Sequence, residues 1–437
     1  MRTRVWIEHV IGTQTRTPPV DARRPRQLPW CLPVLCTSMC LASCEAYRPA
    51  PVDPARSARE LDDRPLASGQ AREALDRLLP QPDRGWPPSS WNRAQLLVAG
   101  LAQNPQLAWA RAEQQRAVAQ SVAANLPADG SLLLQTEYAR REQHPWLYGV
   151  AGRWPLWTAT QRRESVRAIA AVTEQARLEF SQAVWQLRRE LIAALSDRES
   201  AQRELAQMDG LDHTLGQLHE LQQARIAAGE DAPDTALALD QERAALLAER
   251  AEAQQRLAAS QAAVAQCLGI TAHGLGSTPL SWPEWGEPPP VDAALLDRGR
   301  EQALLMRPDL GAAVQAYTLA ESALALALRE QYPRIELQPG YYWDHGIAKV
   351  PFDVEIGLPR GRVKAGIDSA RAARSAAGAH LLALQARIGG EIDAAREQER
   401  RAAEAVKAAL VQLAAADRAE QLAETAWQAG AVGRASQ

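Results

Sequence analysis

Two periodicities divide this chain, because side chains share a helix face at three- and four-residue steps and a strand face at every second residue. The helical pattern is sustained from about 160 to 228 and from about 362 to 429, close to 70 residues each with no internal proline. At about 1.5 Å per residue, each spans roughly 100 Å. Ile169, Val172, Ala176, Phe180 and Val184 supply the apolar seam that a coiled coil requires, with Arg, Glu and Gln on the other faces. Helices of this length must pack side by side, and a hollow array of them makes a tunnel.

Alternation marks the strands. From Arg334 to Trp343, Ile335, Leu337, Tyr341 and Trp343 oppose Arg334, Glu336 and Gln338. From Pro351 to Leu358, Phe352, Val354, Ile356 and Leu358 alternate with Asp353, Glu355 and Gly357. Earlier, Leu132, Leu134, Thr136 and Tyr138 oppose Leu133, Gln135 and Glu137, and Tyr148, Val150 and Trp154 oppose Arg153. Strands of about ten residues, apolar outside, polar inside and aromatic at their ends, suit a transmembrane β-barrel. Glu336, Asp353, Glu355 and Arg153 are then the lumen-facing charges. A soluble four-stranded sheet half-buried on helices is the alternative.

The pattern recurs. Asn104-Pro105-Gln106-Leu107 matches Arg307-Pro308-Asp309-Leu310, and each opens a helical run that closes near Pro127 or Pro333. Glu190-Leu191-Ile192-Ala193-Ala194 matches Glu391-Ile392-Asp393-Ala394-Ala395, and Ala228-Gly229 matches Ala429-Gly430. A near-constant offset implies a duplicated unit of helix, two strands, long helix, glycine turn and helix. The expected organisation is a signal segment over 1–43, an extended tether over 44–90, a first repeat over 91–270, a proline-rich linker over 271–290 and a second repeat over 291–437. The helix from about 234 to 268 has no counterpart in the second repeat before Gln437. The loop after Pro359 is also about three residues shorter than that after Pro155.

The N-terminus reads as an export signal. Arg23, Arg24 and Arg26 precede the uncharged stretch LPWCLPVLCTSMCLAS, too short and too proline-rich for a spanning helix. It ends in Leu41-Ala42-Ser43-Cys44, which resembles a lipobox, so Cys44 is the expected lipidation (palmitate) site. Glu45 follows it, which favours outer-membrane delivery.

Composition narrows the function. With 49 Lys+Arg against 52 Asp+Glu, the net charge of -3 argues against nucleic acid as a partner. Two Phe and four Met are few for an α/β enzyme core, whereas the Ala-, Leu-, Gln-, Glu- and Arg-rich runs favour packed helices. No P-loop, CxxC, HExxH or GxSxG occurs. His213 and His219 are six apart, off any common helix face, and His345 beside Asp344 reads as a solvated turn, so neither a metal site nor a cofactor is expected. Glu230, Asp231 and Asp234 around Gly229 form a negative patch, or Asp231 or Asp234 near Pro233 caps the next helix, and both can hold.

The tether start CEAYRPAP, the paired NPQL and RPDL openings and the segment AESALALALREQYPRIELQPGYYWDHG together resemble the TolC-type outer membrane factor family, the exit ducts of tripartite efflux pumps. Tyr341-Tyr342-Trp343-Asp344 with Gly346 and Lys349 looks most like its heavy-metal cation branch. The resemblance implies a mainly α fold with a small β part: a homotrimer whose helices make an α-barrel joined to a 12-stranded transmembrane β-barrel. It implies a passive channel rather than an enzyme, in the outer membrane of a Gram-negative bacterium, exporting metal cations or drugs. The implied partners are membrane lipid, a proton-driven inner-membrane transporter and a periplasmic adaptor docking at Gly229, Glu230, Asp231, Asp234 and Gly430. Three rivals stand beside it. A periplasmic adaptor would carry one helical hairpin, a lipid-anchored enzyme would need a polar constellation, and a truncated, inactive paralogue would lack the last helix.

Overall fold

The computed structural model describes residues 47–79, 85–126, 129–141, 143–286, 293–357 and 361–429. The signal segment, Cys44, Pro127, Leu358, Pro359 and Gly430 lie outside them. The chain divides into two compact units, residues 1–54 and 55–437, and the elements from Ala55 onward make up the second.

In chain order, α1 (Pro54–Asp62) and α2 (Gly69–Leu78) precede β1 (Trp91–Asn92), α3 (Arg93–Gln103) and α4 (Pro105–Ala124). Next come β2 (Ser131–Tyr138), β3 (Trp146–Pro155) and α5 (Ala159–Ala227). The chain returns along α6 (Thr235–Leu268), then passes α7 (Ala272–Leu275) and β4 (Leu280–Ser281). α8 (Ala293–Met306), α9 (Pro308–Arg329), β5 (Arg334–Asp344), β6 (Ile347–Lys349), β7 (Phe352–Gly357) and α10 (Arg362–Gln428) complete the fold, which is mostly helical with a small sheet part. Two helices, strands and a long helix thus follow one another twice in the order of elements, with two strands the first time and three the second.

Local chemistry sets the helix starts. The Asn104 side chain accepts from the Gln106 and Leu107 amides, with Pro105 at the first helical position of α4. Thr158 and Gln161 form a capping box that opens α5. Arg307, which stands where Asn104 does, caps nothing with its side chain. Its guanidinium instead bonds Asp309 at 2.8 Å and Glu391 of α10 at 3.0 Å, which joins α9 to the long helix by charge.

The tightest packing on α5 follows small residues. Ser165, Ala168, Ala171, Ala176, Phe180, Leu187, Leu191 and Ala194 are buried, while Ile169, Val172 and Val184 lie half-buried beside that line. Ala176 and Phe180 of the expected seam are thus buried, whereas at Ile169 and Val172 the packed position is the preceding Ala168 and Ala171, whose small side chains let neighbouring backbones approach closely. α4, α6 and α9 all pack on α5. Where α9 meets α10, Leu310, Ala313, Leu384 and Ile388 form a small core.

The segment expected as an extended tether contains α1 and α2. Ser68 caps α2 by accepting from the Ala71 amide, and Ala71 and Leu75 are buried as α2 packs against α3. Arg64 Nη1 donates to the Gln103 and Gly269 carbonyls, at 3.1 and 3.3 Å, where α3 and α6 end. Trp91 and Asn92 then pair in parallel with Leu280 and Ser281, residues far apart in sequence. Trp285 anchors the following turn to the middle of α5, its Nε1 donating to Ser196 Oγ at 3.0 Å beneath the Arg203 guanidinium.

Candidate conduction surface and helical tip

The sheet is antiparallel in the order β2-β3-β5, with β6 and β7 both pairing with the far side of β5. β6 and β7 act as one strand interrupted at Val350 and Pro351, and Gly340 N donating to Pro351 O at 2.9 Å spans the break. The β5–β6 turn is two residues, His345 and Gly346, both with positive φ, at 50° and 97°. That is the backbone a tight hairpin turn demands, and glycine meets it without strain.

Register decides which residues share a face. Val150 pairs with Leu134 and Tyr341, Tyr148 with Thr136 and Trp343, Leu337 with Trp154 and Val354, and Ile335 with Ile356. The opposite face takes Arg153 paired with Ser131, Glu336 paired with Glu355, and Gln338 paired with Asp353. The four charges expected to share a face, Glu336, Asp353, Glu355 and Arg153, therefore do so. Arg153 Nε lies 3.9 Å from Glu336, and Gln338 Nε2 donates to Glu355 at 2.7 Å.

The separation is complete. The strands carry eight charged residues, Glu137, Arg153, Arg334, Glu336, Asp344, Lys349, Asp353 and Glu355, and alternation puts all of them on the second face. The first face is uncharged and bare, with Leu134 74% and Ile356 57% exposed. Aromatics crowd one end of it, Tyr138 against Trp146 at 4.9 Å and Tyr148 against Trp343 at 6.5 Å between ring centroids. The Trp154 indole covers Gly152, where any side chain would meet it, and the Tyr342 ring covers Gly149. The Tyr342 covering depends on the β3–β5 register, which pairs Gly149 with Tyr342, whereas Trp154 stands two residues from Gly152 on the same strand.

At the foot of the sheet lies a cavity of about 800 Å³ that the sequence did not reveal. Asn125, Arg153, Trp157, Arg329, Tyr332 and Glu336 are among its walls. Arg329 Nη2 donates to Thr160 Oγ1 at 3.0 Å, tying the end of α9 to the start of α5.

The other end is the α5–α6 turn. Gly229 has φ of 77°, and the Gly229 and Glu230 amides bond the Ile226 and Arg225 carbonyls, a Schellman close. Asp231 accepts from Arg225 Nε at 2.7 Å, from Arg225 Nη2 at 3.1 Å and from Gln222 Nε2 at 3.0 Å. That hydrogen bonding, with the carboxylate's charge, raises the pKa of Arg225. Asp231 is thus an ion-pair partner rather than a cap, and Asp234 occupies the N-cap of α6 without a side-chain cap bond. Glu230 remains exposed, 3.9 Å from Arg225.

Behind the turn, ion pairs cross between α5 and α6: Glu204–Arg256, Asp209–Arg250 and Asp212–Arg243, at 2.7 to 3.3 Å, and the His219 ring lies 3.1 Å from Asp240. Exposed pairs contribute little each, about 0.2–1 kcal/mol, so their main effect is to fix register. His213 faces Gln217 instead, so the two histidines have separate partners. Among the described residues, no three His, Cys, Asp or Glu side chains gather as a metal site would require.

No protein-family model and no curated protein matches the chain. Solved structures do. CusC, known from crystal structures on folding and transmembrane channel formation, superposes with a TM-score of 0.63 at 16% identity, over 85% of this chain and 89% of that one. The outer-membrane channel OprN gives 0.59 at 19% identity, over 89% and 90%. The outer membrane protein VceC of Vibrio cholerae gives 0.62 at 17% identity, over 77% and 86%. Likeness at these identities speaks to architecture, and it agrees with the resemblance read in the sequence: the chain has the TolC-type fold of the outer-membrane channels.

Proposed function

We propose that the chain is the outer membrane channel subunit of a tripartite efflux pump, a passive conduit rather than an enzyme. The observation that carries this reading is the sheet whose eight charges share one face while the other is uncharged and aromatic at one end. In water the apolar face would need a cover, and no helix packs on it among the described residues. Lipid supplies that cover, and water inside a pore solvates the other face.

Four strands cannot close a pore, since the smallest outer-membrane barrels have about eight. Three copies give about twelve, so the reading includes a homotrimer in which β2 of one copy pairs with the β6–β7 edge of the next. The two halves are then the duplicated units, and their long helices line a periplasmic tunnel. Cys44 is lipidated and anchors the outer-membrane protein in lipid. The Gly229 and Gly430 turns, with Glu230, Asp231 and Asp234, meet a periplasmic adaptor that links the channel to a proton-driven inner-membrane transporter. The two strand pairs and two long helices weigh against the adaptor reading. A second reading is an inactive paralogue, which would share the fold and insert without conducting.

Purified protein reconstituted in a planar bilayer tests the reading. Stepwise, unitary conductance is the expected result, and membrane-inserted trimers that never conduct would support the inactive paralogue.

A further inference from the structure

We infer that the cavity at the foot of the sheet is a phospholipid site, seating a zwitterionic headgroup with its phosphate on Arg329 and its ammonium on Asp129. The inference rests on the reading that the uncharged face of the sheet meets lipid. Among the described residues, three cations and three carboxylates stand in the cavity wall: Arg153, Arg329 and Arg334 against Asp129, Glu330 and Glu336. Four of them pair with one another, Arg334 with Glu330 at 3.0 Å and Arg153 with Glu336 at 3.9 Å. Arg329 and Asp129 are left, and neither has a partner of opposite charge among the described residues. One free cation and one free anion in a single cavity call for a ligand that carries both charges.

Arg329 is already positioned. Its Nη2 donates to Thr160 Oγ1 at 3.0 Å, and its guanidinium lies 5.6 Å from the centre of the Tyr332 ring. That fixes the side chain and leaves further N–H groups to donate, and a guanidinium fork matches phosphate oxygens two at a time. Location supplies the lipid. Leu156 and Ile335 line the cavity and continue the uncharged face, Ile335 paired with Ile356 and the Leu156 amide donating to the Ile335 carbonyl at 3.0 Å. Both side chains are exposed. Trp157 and Tyr332 join them where the strands give way to helices, and aromatic rings gather at the level of lipid headgroups. The volume of about 800 Å³ is that of a ligand site, for which about 300–1,000 Å³ is usual. A soluble zwitterion would leave Leu156 and Ile335 bare, whereas acyl chains cover them.

The test is native mass spectrometry of the full-length protein, extracted in mild detergent, stripped of lipid and supplied with defined lipids. Phosphatidylethanolamine should remain bound, one per chain, under activation that removes phosphatidylglycerol, which has the phosphate but no ammonium. Glycerophosphoethanolamine, the same headgroup without acyl chains, should bind severalfold more weakly. R329Q should lose phosphatidylethanolamine severalfold more readily than the wild type, with R329K in between, and D129N should erase the preference over phosphatidylglycerol. Equal retention of the two lipids by the wild type would overturn the inference, as would a preference that survives in D129N or retention unchanged in R329Q. Equally tight glycerophosphoethanolamine would assign the cavity to a soluble zwitterion, and assembled protein that retains no lipid would assign it to a second copy of the chain. Protein that never enters membranes would overturn the lipid-facing reading itself, a failure distinct from an inserted protein with an empty cavity.

Discussion

α5 and α10 are near twins in length, 69 and 67 residues, yet thirteen residues of α5 are buried and two of α10. Composition does not explain the difference, since both mix Ala and Leu with Arg, Glu and Gln. Partners do. α5 packs against α4, α6 and α9 along its length, whereas α10 packs against α8 and α9 near its first half. Beyond Ile388, Val406, Leu410 and Leu413 recur at helical spacing and stay exposed. A long amphipathic helix defines a face to be covered, and the cover must come from elsewhere.

Supplying that cover should have the largest effect. A copy of residues 231–270 placed after Gly430 would give α10 what α6 gives α5, and burial on that scale contributes on the order of tens of kcal/mol before entropy. The expected outcome is a marked gain in SDS-resistant trimers. No gain would mean that the stripe on α10 is already covered in the assembly.

Point substitutions probe the same contrast. Leu191→Ala on α5 and Ile388→Ala on α10, positions 1% and 0% exposed, should each cost about 2–5 kcal/mol in urea denaturation. Leu410→Ala, 59% exposed, should stay within about 0.5 kcal/mol if that stretch is bare. A core-like cost at Leu410 would place it in an interface between copies.

Gly229→Ala tests the end of α5. The positive φ there strains any residue with a Cβ, so about 1 kcal/mol should be lost. A substitution without effect would show that the turn relaxes.

The smallest effect is a titration. Burial, with some contribution from the Glu190 charge, raises the pKa of the Cys267 thiol from 9.0 to about 11. Because the folded value is the higher one, the thiol's contribution to stability is fully present below pH 9 and is lost as pH rises through about 11. Iodoacetamide should therefore label Cys267 in unfolded protein near pH 9 while sparing Cys267 in the native chain, as read on the peptide that carries it. Equal labelling of both would place α6 in a more open setting.

What was legible in the sequence follows the range of the forces involved. The long helices were expected at 160–228 and 362–429 and occur within a residue of those bounds, because a sustained seam and flanking Pro or Gly are local signals. The strand faces were equally plain, since alternation needs no partner to be seen. α1 and α2 were not legible. Their proline- and arginine-rich sequence has no sustained period, and α2 is held by burial against α3 and by Arg64 reaching carbonyls of distant residues. The β1–β4 ladder and the cavity beside Arg329 also join segments remote in sequence. At the tip, the sequence left Asp231 and Asp234 as caps, a negative patch or both, and only the fold shows Arg225 and Gln222 of α5 bonding Asp231.

The central claim is that one face of the sheet meets lipid and the other meets water. Recovery of folded protein in the outer-membrane fraction, compared for arginine at Val354, Ile356 and Glu355, tests it directly. Val354 and Ile356 lie on the uncharged face and Glu355 between them on the charged one. Arginine facing lipid near midplane costs about 2–4 kcal/mol, so Val354→Arg and Ile356→Arg should assemble poorly while Glu355→Arg assembles like wild type. Equal recovery of all three would contradict the account.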